Sequence, residues 1–287
     1  MNQRLLICTD LDRTLIPNGP QPESEGARER FKQLCAGETV LLAYVSGRDQ
    51  SLVRDAITDY SLPQPDYVIG DVGTSLYHVD TPGDWRHQAN WDEHISQDWR
   101  GRSHQDLKQL FADIPGLRLQ EEAKQNRFKL SYYISPDQAH QPILDEMGLR
   151  LQREKVAASL IWSVDETVNM GLLDVLPERA TKYHAIDFLR QSLGYTINET
   201  VFSGDSGNDM EVLISPIPAV LVANAQPEVR QKAQQLVDEK GNGDSLYMAK
   251  GSFMTMNGNY SAGILEGTAH YHPQLISRLL DARDHDQ

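Results

Sequence analysis

The longest uninterrupted apolar runs in the chain are Val40–Val45 and Ala219–Ala223. They are strand-sized, far short of the ~18 apolar residues of a membrane span. Leu5-Leu6-Ile7-Cys8, Tyr67-Val68-Ile69 and Thr200-Val201-Phe202 are shorter runs of the same kind. Such runs are apolar at successive rather than alternate positions, as parallel strands covered on both faces are. Between them the apolar period changes. Ser24–Cys35 puts Phe31 and Leu34 on one side, and Ser51–Tyr60 spaces Leu52, Val53, Ala56 and Ile57 helically. Ala180–Leu193, Asn208–Leu213 and Pro227–Val237 also read as helices, the last with proline at its start. Ala262–His270 and Pro273–Leu280 read as closing helices. Strand–helix–strand alternation with short connections predicts an α/β, doubly wound, mostly parallel sheet with right-handed crossovers.

The middle of the chain has another character. From about Val79 to Gly101 it is polar and carries Trp85, Trp91 and Trp99. Ser103–Ala112 reads as a helix, and Phe128–Ile134 alternates as a half-exposed strand does. Pro136–Met147 reads as a helix, Leu149–Leu151 and Ser159–Val164 as strands. We expect a core made of both chain ends, residues 1–78 and 173–287, with an α+β unit inserted at 79–172. The tryptophans are expected to pack that unit against the core.

Composition limits the function. There are 27 basic and 41 acidic residues, a net charge of −14 with histidines neutral. That field repels nucleic-acid backbones. An anionic substrate must therefore be met by a local cation cluster or a metal. The first residues enter an apolar segment that soon meets Asp10, so no secretory signal is expected. Two cysteines, Cys8 and Cys35, cannot form a disulfide framework and are read as small buried apolar groups. A cytoplasmic setting is the expectation.

The first buried strand ends in Asp10-Leu11-Asp12-Arg13-Thr14. In an open parallel sheet the carboxyl ends of the strands are where ligands bind. A carboxylate there can act as nucleophile in phosphoryl transfer, and a second can give and take the proton. A later strand runs into Ser203-Gly204-Asp205-Ser206-Gly207-Asn208-Asp209. Oxygen ligands from Asp205 and Asp209, close to Asp10, suit an octahedral Mg²⁺ that keeps several waters. The plain alternative is a pair of Asp-rich turns. Two segments can meet an anion. After Val45 come Ser46-Gly47-Arg48, whose hydroxyl, helix-start amides and guanidinium can hold phosphate oxygens. Lys182 opens a helix, where the dipole disfavours a cation. Here the alternatives are a helix-capping serine, a solvated arginine and a surface lysine.

Taken in order, these four segments resemble the haloacid dehalogenase superfamily of Mg²⁺-dependent phosphatases, and the insertion resembles its type IIB cap. Along nearly its whole length the chain is similar to the sucrose-phosphate phosphatase family. That similarity is carried by Ser46–Arg48, Pro65–Tyr67, Val72–Thr74, Lys129–Tyr132, Asp174–Pro177, Gly204–Asp209, Asn224–Glu228 and Ser261–Glu266. The resemblance implies a Rossmann-like core, with Asp10 as nucleophile and Asp12 as general acid/base. It implies Mg²⁺ on Asp10, the Asp12 carbonyl, Asp205 and Asp209. Ser46 and Lys182 would hold the phosphoryl group, Thr14 would orient Asp12, and Gly47 and Arg48 would line the phosphate and sugar approach. In the cap, Asn126, Lys129 and Tyr132 are the candidate sugar contacts, although alternation puts Tyr132 on the face opposite Lys129 and Ser131. Two departures stand out: Tyr183 follows Lys182 where relatives usually have glycine, and Asn169–Leu172 lacks the acidic residue often seen there in sucrose-phosphate phosphatases.

The implied function is hydrolysis of a disaccharide phosphate, most simply sucrose 6-phosphate. Mannosylfructose phosphate and glycosyl-3-phosphoglycerate are alternatives, as are a phosphotransferase and a sugar-binding regulatory module on the same fold. The implied partners are the phosphorylated sugar and the glycosyltransferase that makes it, with no nucleic acid and no membrane, on a monomer.

Overall fold

The structure is a computed structural model that describes residues 4–165, 168–251 and 253–275. The chain divides into two compact units, Met1–His87 with Lys182–Gln287, and Gln88–Thr181.

In the first unit, β1 (Leu5–Thr9), α1 (Ala27–Cys35), β2 (Val40–Val45), α2 (Gln50–Asp59), β3 (Tyr67–Gly70), β4 (Ser75–Thr81) and β5 (Asp84–His87) come first. The second unit contributes α3 (Ala89–Ser96), α4 (His104–Leu110), β6 (Arg118–Leu119), β7 (Leu130–Ile134), α5 (His140–Arg153), β8 (Ala158–Asp165) and β9 (Met170–Pro177). The chain then returns to the first unit with α6 (Lys182–Ser192), β10 (Thr200–Gly204), α7 (Met210–Leu213), β11 (Ala219–Leu221), α8 (Pro227–Lys240), β12 (Leu246–Met248) and α9 (Ser261–Tyr271).

The sheet of the first unit runs β12-β11-β10-β1-β2-β3-β4-β5. It is parallel from β12 to β3, and β4 and β5 add an antiparallel edge. The winding runs outward from β1 through β2 to β3, then resumes at β10 on the other side of β1. The carboxyl ends of β1 and β10 therefore flank the switch point, where such sheets place ligands. Every residue of β1 is buried. Each of its leucines and isoleucine contributes ~1.5–3 kcal/mol by leaving water. Helix α9 presses on the sheet through two glycines: a Cβ on Gly267 would lie 2.2 Å from a Val220 methyl, and one on Gly263 2.9 Å from Val222.

The sheet of the second unit is antiparallel, ordered β6-β7-β9-β8. Leu130, Tyr132, Ile134, Leu173 and Val175 alternate onto one face and are buried. Helices α4 and α5 contact β7 and β8.

Several sequence expectations shift. The unit boundaries fall at 87/88 and 181/182, not at 78/79 and 172/173. The hairpin of β4 and β5 pairs onto β3, so its polar face misled the reading, and β9 lies between β7 and β8. Leu149–Leu151 is not a strand. It continues α5, with Ile143, Met147 and Leu151 buried at four-residue spacing. Two alternating leucines do not separate period two from period 3.6. Helix α1 starts at Ala27, three residues later than Ser24. Trp85 joins the core of the first unit, and Trp91 and Trp99 are fully buried in the second. Of Pro273–Leu280, the last five residues lie outside those described. No described helix is long and apolar enough to cross a membrane.

Candidate active site

Four connections of the first unit meet at the carboxyl ends of β1, β2 and β10. After β1 the chain stays buried at Asp10, whose N–H donates to the Ser203 carbonyl at 2.9 Å. It then turns tightly, with the amides of Thr14, Leu15 and Ile16 all donating to the Leu11 carbonyl. Arg13, inside that turn, has a left-handed φ of 59°.

After β10, the Asp209 carboxylate is held by amides: its Oδ2 accepts from the N–H groups of Asp205 and Ser206, both at 3.1 Å. This needs a residue without Cβ at 204. A Cβ on Gly204 would sit 2.6 Å from Asp209 Cγ. Lys182, the first residue of α6, is 3% exposed. Its Nζ donates to Asp10 Oδ1 at 2.9 Å and to Asp209 Oδ1 at 2.7 Å. A helix N-terminus repels a cation, so these two carboxylates account for its place.

Asp10, Asp205 and Asp209 bring ligand oxygens within 4.8 Å of one another, all three buried. Burial, with Asp209 and Asp205 nearby, pushes Asp10 up to about 7 even though Lys182 pulls it down. Burial and then Asp209 push Asp205 up to about 6 against the pull of Arg13, whose Nε lies 3.3 Å from Asp205 Oδ2. Burial alone would lower Lys182, but Asp10 and Asp209 outweigh it and raise the ammonium above its ordinary value. One lysine and one arginine do not neutralise three buried carboxylates. A hard divalent cation with oxygen preference fits the donor set. Those residues, with the Asp12 carbonyl, would hold Mg²⁺.

Asp12 points elsewhere. Arg48 forks onto it, Nε to Oδ2 at 2.8 Å and Nη2 to Oδ1 at 2.7 Å, and Asn18 Nδ2 donates to Oδ1 at 2.7 Å. Burial raises the Asp12 carboxyl, but Arg48 and Asn18 outweigh it and hold the group below its ordinary range. Ser46 is buried at the end of β2, its N–H on the Ile69 carbonyl and its Oγ accepting from Arg48 N at 3.2 Å. A cleft of about 330 Å³ is lined by Asp10, Asp12, Arg13, Ser46, Gly47, Arg48 and Asp205, among others.

The structure thus gathers Asp10, Asp12, Thr14, Ser46, Gly47, Arg48, Lys182, Asp205 and Asp209 in one unit. Three details depart from expectation. Thr14 Oγ1 lies 3.5 Å from Asp10 Oδ2 and 3.5 Å from Asp205 Oδ1, not on Asp12. Helix α2 is capped by Asp49, which accepts from Leu52 N at 3.0 Å, so its start presents a carboxylate rather than an anion site. Tyr132 is buried with Leu130 and Ile134, on the face of β7 opposite Ser131, and Lys129 lies one residue before β7, bridged to Asn126. Asn126 and Lys129 close a turn of the second unit by exchanging backbone hydrogen bonds, and Asn126 Oδ1 accepts from Phe128 N at 2.8 Å. Sequence reading missed Arg13 and Asn18. Asn18 precedes a glycine, which signals only a turn.

Comparison with known proteins places the chain in a family. The profile of the sucrose-6F-phosphate phosphohydrolase family matches residues 3–272. A HAD-like hydrolase of Nitrosococcus oceani is 51% identical over 96% of this chain and 73% of its own. Sucrose-phosphatase 1 of Nicotiana tabacum is 31% identical over 79% of this chain, which spans about half of it, 52%. Mannosylfructose-phosphate phosphatase of Agrobacterium fabrum is 28% identical over 93% of this chain and 96% of its own. Among solved structures, the sucrose-phosphatase of Synechocystis sp. PCC6803, in complex with sucrose and phosphate, superposes with a TM-score of 0.70 at 26% identity, covering 94% of this chain and 98% of that one. The chain therefore belongs to the sucrose-6F-phosphate phosphohydrolase family, phosphoric monoester hydrolases of the haloacid dehalogenase superfamily.

Proposed function

We propose that this chain is a Mg²⁺-dependent phosphatase that hydrolyses a disaccharide phosphate, most simply sucrose 6-phosphate, through a phosphoryl group carried on Asp10. The observation that carries the reading is Lys182, buried and shared between Asp10 and Asp209, with Asp205 completing the carboxylate cluster. Bound there, Mg²⁺ supplies positive charge that offsets the carboxylates and the incoming phosphoryl oxygens.

The chain's own residues do the rest. Asp10 attacks phosphorus, and the bond to the sugar oxygen breaks. Ser46 and Lys182 hold phosphoryl oxygens, so the charge that spreads over them meets fixed donors. Asp12 gives its proton to the leaving sugar oxygen and then takes one from the water that attacks phosphorus, which breaks the Asp10–phosphorus linkage, frees the carboxylate and releases phosphate. Both Asp12 oxygens are engaged by Arg48 and Asn18. Because Arg48 keeps the carboxyl ionised, its fork must open before burial can raise Asp12 enough to carry the proton that it gives, and the substrate's anionic group is the partner that can draw Arg48 away.

A second reading is mannosylfructose phosphate, favoured because the phosphatase named for it matches this chain nearly end to end. Phosphate release from sucrose 6-phosphate, mannosylfructose phosphate and a glycosyl-3-phosphoglycerate, each with and without Mg²⁺, tests the proposal. Mg²⁺-dependent release that is fastest for sucrose 6-phosphate is the expected result. Release from none of the three would reject it. The glycosyltransferase that makes the phosphate is the proposed partner.

A further inference from the structure

Two segments that carry the family resemblance, Asn224–Glu228 and Ser261–Glu266, take no part in the chemistry above. Their place in the structure gives them one. Arg13 stands between Asp12 and Thr14 in the left-handed region, φ 59°, which an arginine does not favour. Two asparagines hold it there. The Arg13 N–H donates to Asn18 Oδ1 at 2.8 Å, and Asn224 Nδ2 donates to the Arg13 carbonyl at 2.6 Å.

Each asparagine is anchored at its other end. Asn18 Nδ2 donates to Asp12 Oδ1 at 2.7 Å. Asn224 is buried, and its Oδ1 accepts from Tyr260 N at 2.9 Å. Tyr260 is fully buried just before α9, with its own left-handed φ of 51°. Glu266, buried on α9, accepts from Lys250 N at 2.8 Å and Gly251 N at 2.9 Å, and Gly258 in that same loop accepts from Ala223 N. The loop that ends at Tyr260 is thus tied down at both ends.

The Arg13 N–H and the Asp12 carbonyl belong to one planar peptide and point in opposite directions. Fixing the N–H on Asn18 fixes the direction of that carbonyl. Fixing the Arg13 carbonyl on Asn224 sets the next peptide, which leads to Thr14, and the start of the side chain that reaches Asp205.

We propose that Asn18 and Asn224 are positioning residues for the phosphatase reaction, a clamp on the Arg13 backbone that aims the Asp12 carbonyl and carboxylate. The inference rests on the functional reading above. The variants that test it are Asn224→Ala, Asn224→Asp and Asn18→Ala. Asn224→Asp keeps an oxygen for Tyr260 N but sets an oxygen against the Arg13 carbonyl. Asn18→Ala changes an exposed loop and keeps the test open if the buried site does not tolerate substitution.

We expect both Asn224 variants to lower kcat by about 10²-fold on sugar phosphate and on p-nitrophenyl phosphate alike, the scale of a ~1 Å misplacement, with KM little changed. Mg²⁺ affinity, read by calorimetry on substrate-free protein, should weaken about tenfold, in line with losses on disturbing what orients a ligand. Asn18→Ala should move both readouts in the same direction. Folded variants with wild-type kcat and Mg²⁺ affinity would overturn the clamp. So would Asn224→Asp restoring what Asn224→Ala loses, because the Tyr260 contact alone would then be the role. A wild type that hydrolyses no phosphate ester would instead reject the functional reading, and the calorimetric series would still decide the clamp.

Discussion

Replacing Lys182 by methionine keeps the stem and removes the ammonium that Asp10 and Asp209 share. The two bonds, at 2.9 and 2.7 Å on a side chain 2% exposed, are charge-assisted and dry. Such bonds are worth ~1.5–3 kcal/mol each, and stripping one partner from a buried ionic group costs ~3–5 kcal/mol. For domains of this size ~1 kcal/mol moves the melting temperature by ~2–4 °C, so metal-free Lys182→Met should melt roughly 6–20 °C lower near pH 8. Near pH 5.5 the loss should shrink, because Asp10 and Asp205, already pushed up to about 7 and about 6, take up protons instead of repelling. Mg²⁺ should restore part of the melting temperature near pH 8. It should not restore turnover, since a donor to the phosphoryl oxygens is gone, worth ~10²–10³ in kcat. Melting curves with and without Mg²⁺ at both pH values, beside phosphate release, read all of this. An unchanged melting temperature near pH 8, or turnover within about tenfold of wild type, would refute the reasoning.

Raised carboxyls also fix the sign of the pH dependence. In metal-free native protein Asp10 and Asp205 keep protons that the unfolded chain releases near its ordinary value of 3.8, so stability falls as pH climbs from there towards about 6 and about 7. Mg²⁺ displaces those protons, so its increment in melting temperature should be small near pH 5 and grow towards about pH 8; an increment that is flat or falls with pH contradicts this. Gly204→Ala should dislodge Asp209, because the new Cβ would meet its carboxyl carbon at 2.6 Å. Weaker Mg²⁺ binding by calorimetry and a stability loss of ~1–3 kcal/mol are expected, and wild-type values for both would show that the site gives way freely. Lys129→Ala should lower kcat/KM for the disaccharide phosphate far more than for p-nitrophenyl phosphate, whereas Asp205→Ala should lower both alike. Equal effects of Lys129→Ala on the two substrates would remove it from sugar reading.

The parallel core was legible because β1 and β2 are apolar at nearly every position, β10 carries the apolar pair Val201-Phe202, and each strand runs into a polar, glycine- or aspartate-rich turn. That one pattern also located Asp10, Ser46 and Asp205, since a strand's carboxyl end is both a fold feature and a site. What escaped reading depended on tertiary pairing. The hairpin of β4 and β5 looks like polar linker until it is seen on the edge of β3, and β9 needs β7 and β8 on both sides to declare itself. Tyr132 shows the limit at a single residue. Alternation placed it opposite Lys129 and Ser131, and only the tertiary burial that it shares with Leu130, Ile134, Leu173 and Val175 makes it core. Asn18 is only five residues from Arg13 but carries no more than a turn signal, and Asn224 is 211 residues away, where no local period links its amide to a carbonyl at 13.

The central claim is that Asp10 carries the phosphoryl group in a Mg²⁺-dependent hydrolysis of a disaccharide phosphate. Its most direct test is phosphate release from sucrose 6-phosphate by wild type and by Asp10→Ala, each in Mg²⁺ and in excess chelator, with the folding of the variant checked by melting. The account predicts turnover by wild type in Mg²⁺, and none from the chelated wild type or from folded Asp10→Ala under either condition. Comparable release by Asp10→Ala, or undiminished release by the chelated wild type, would contradict it.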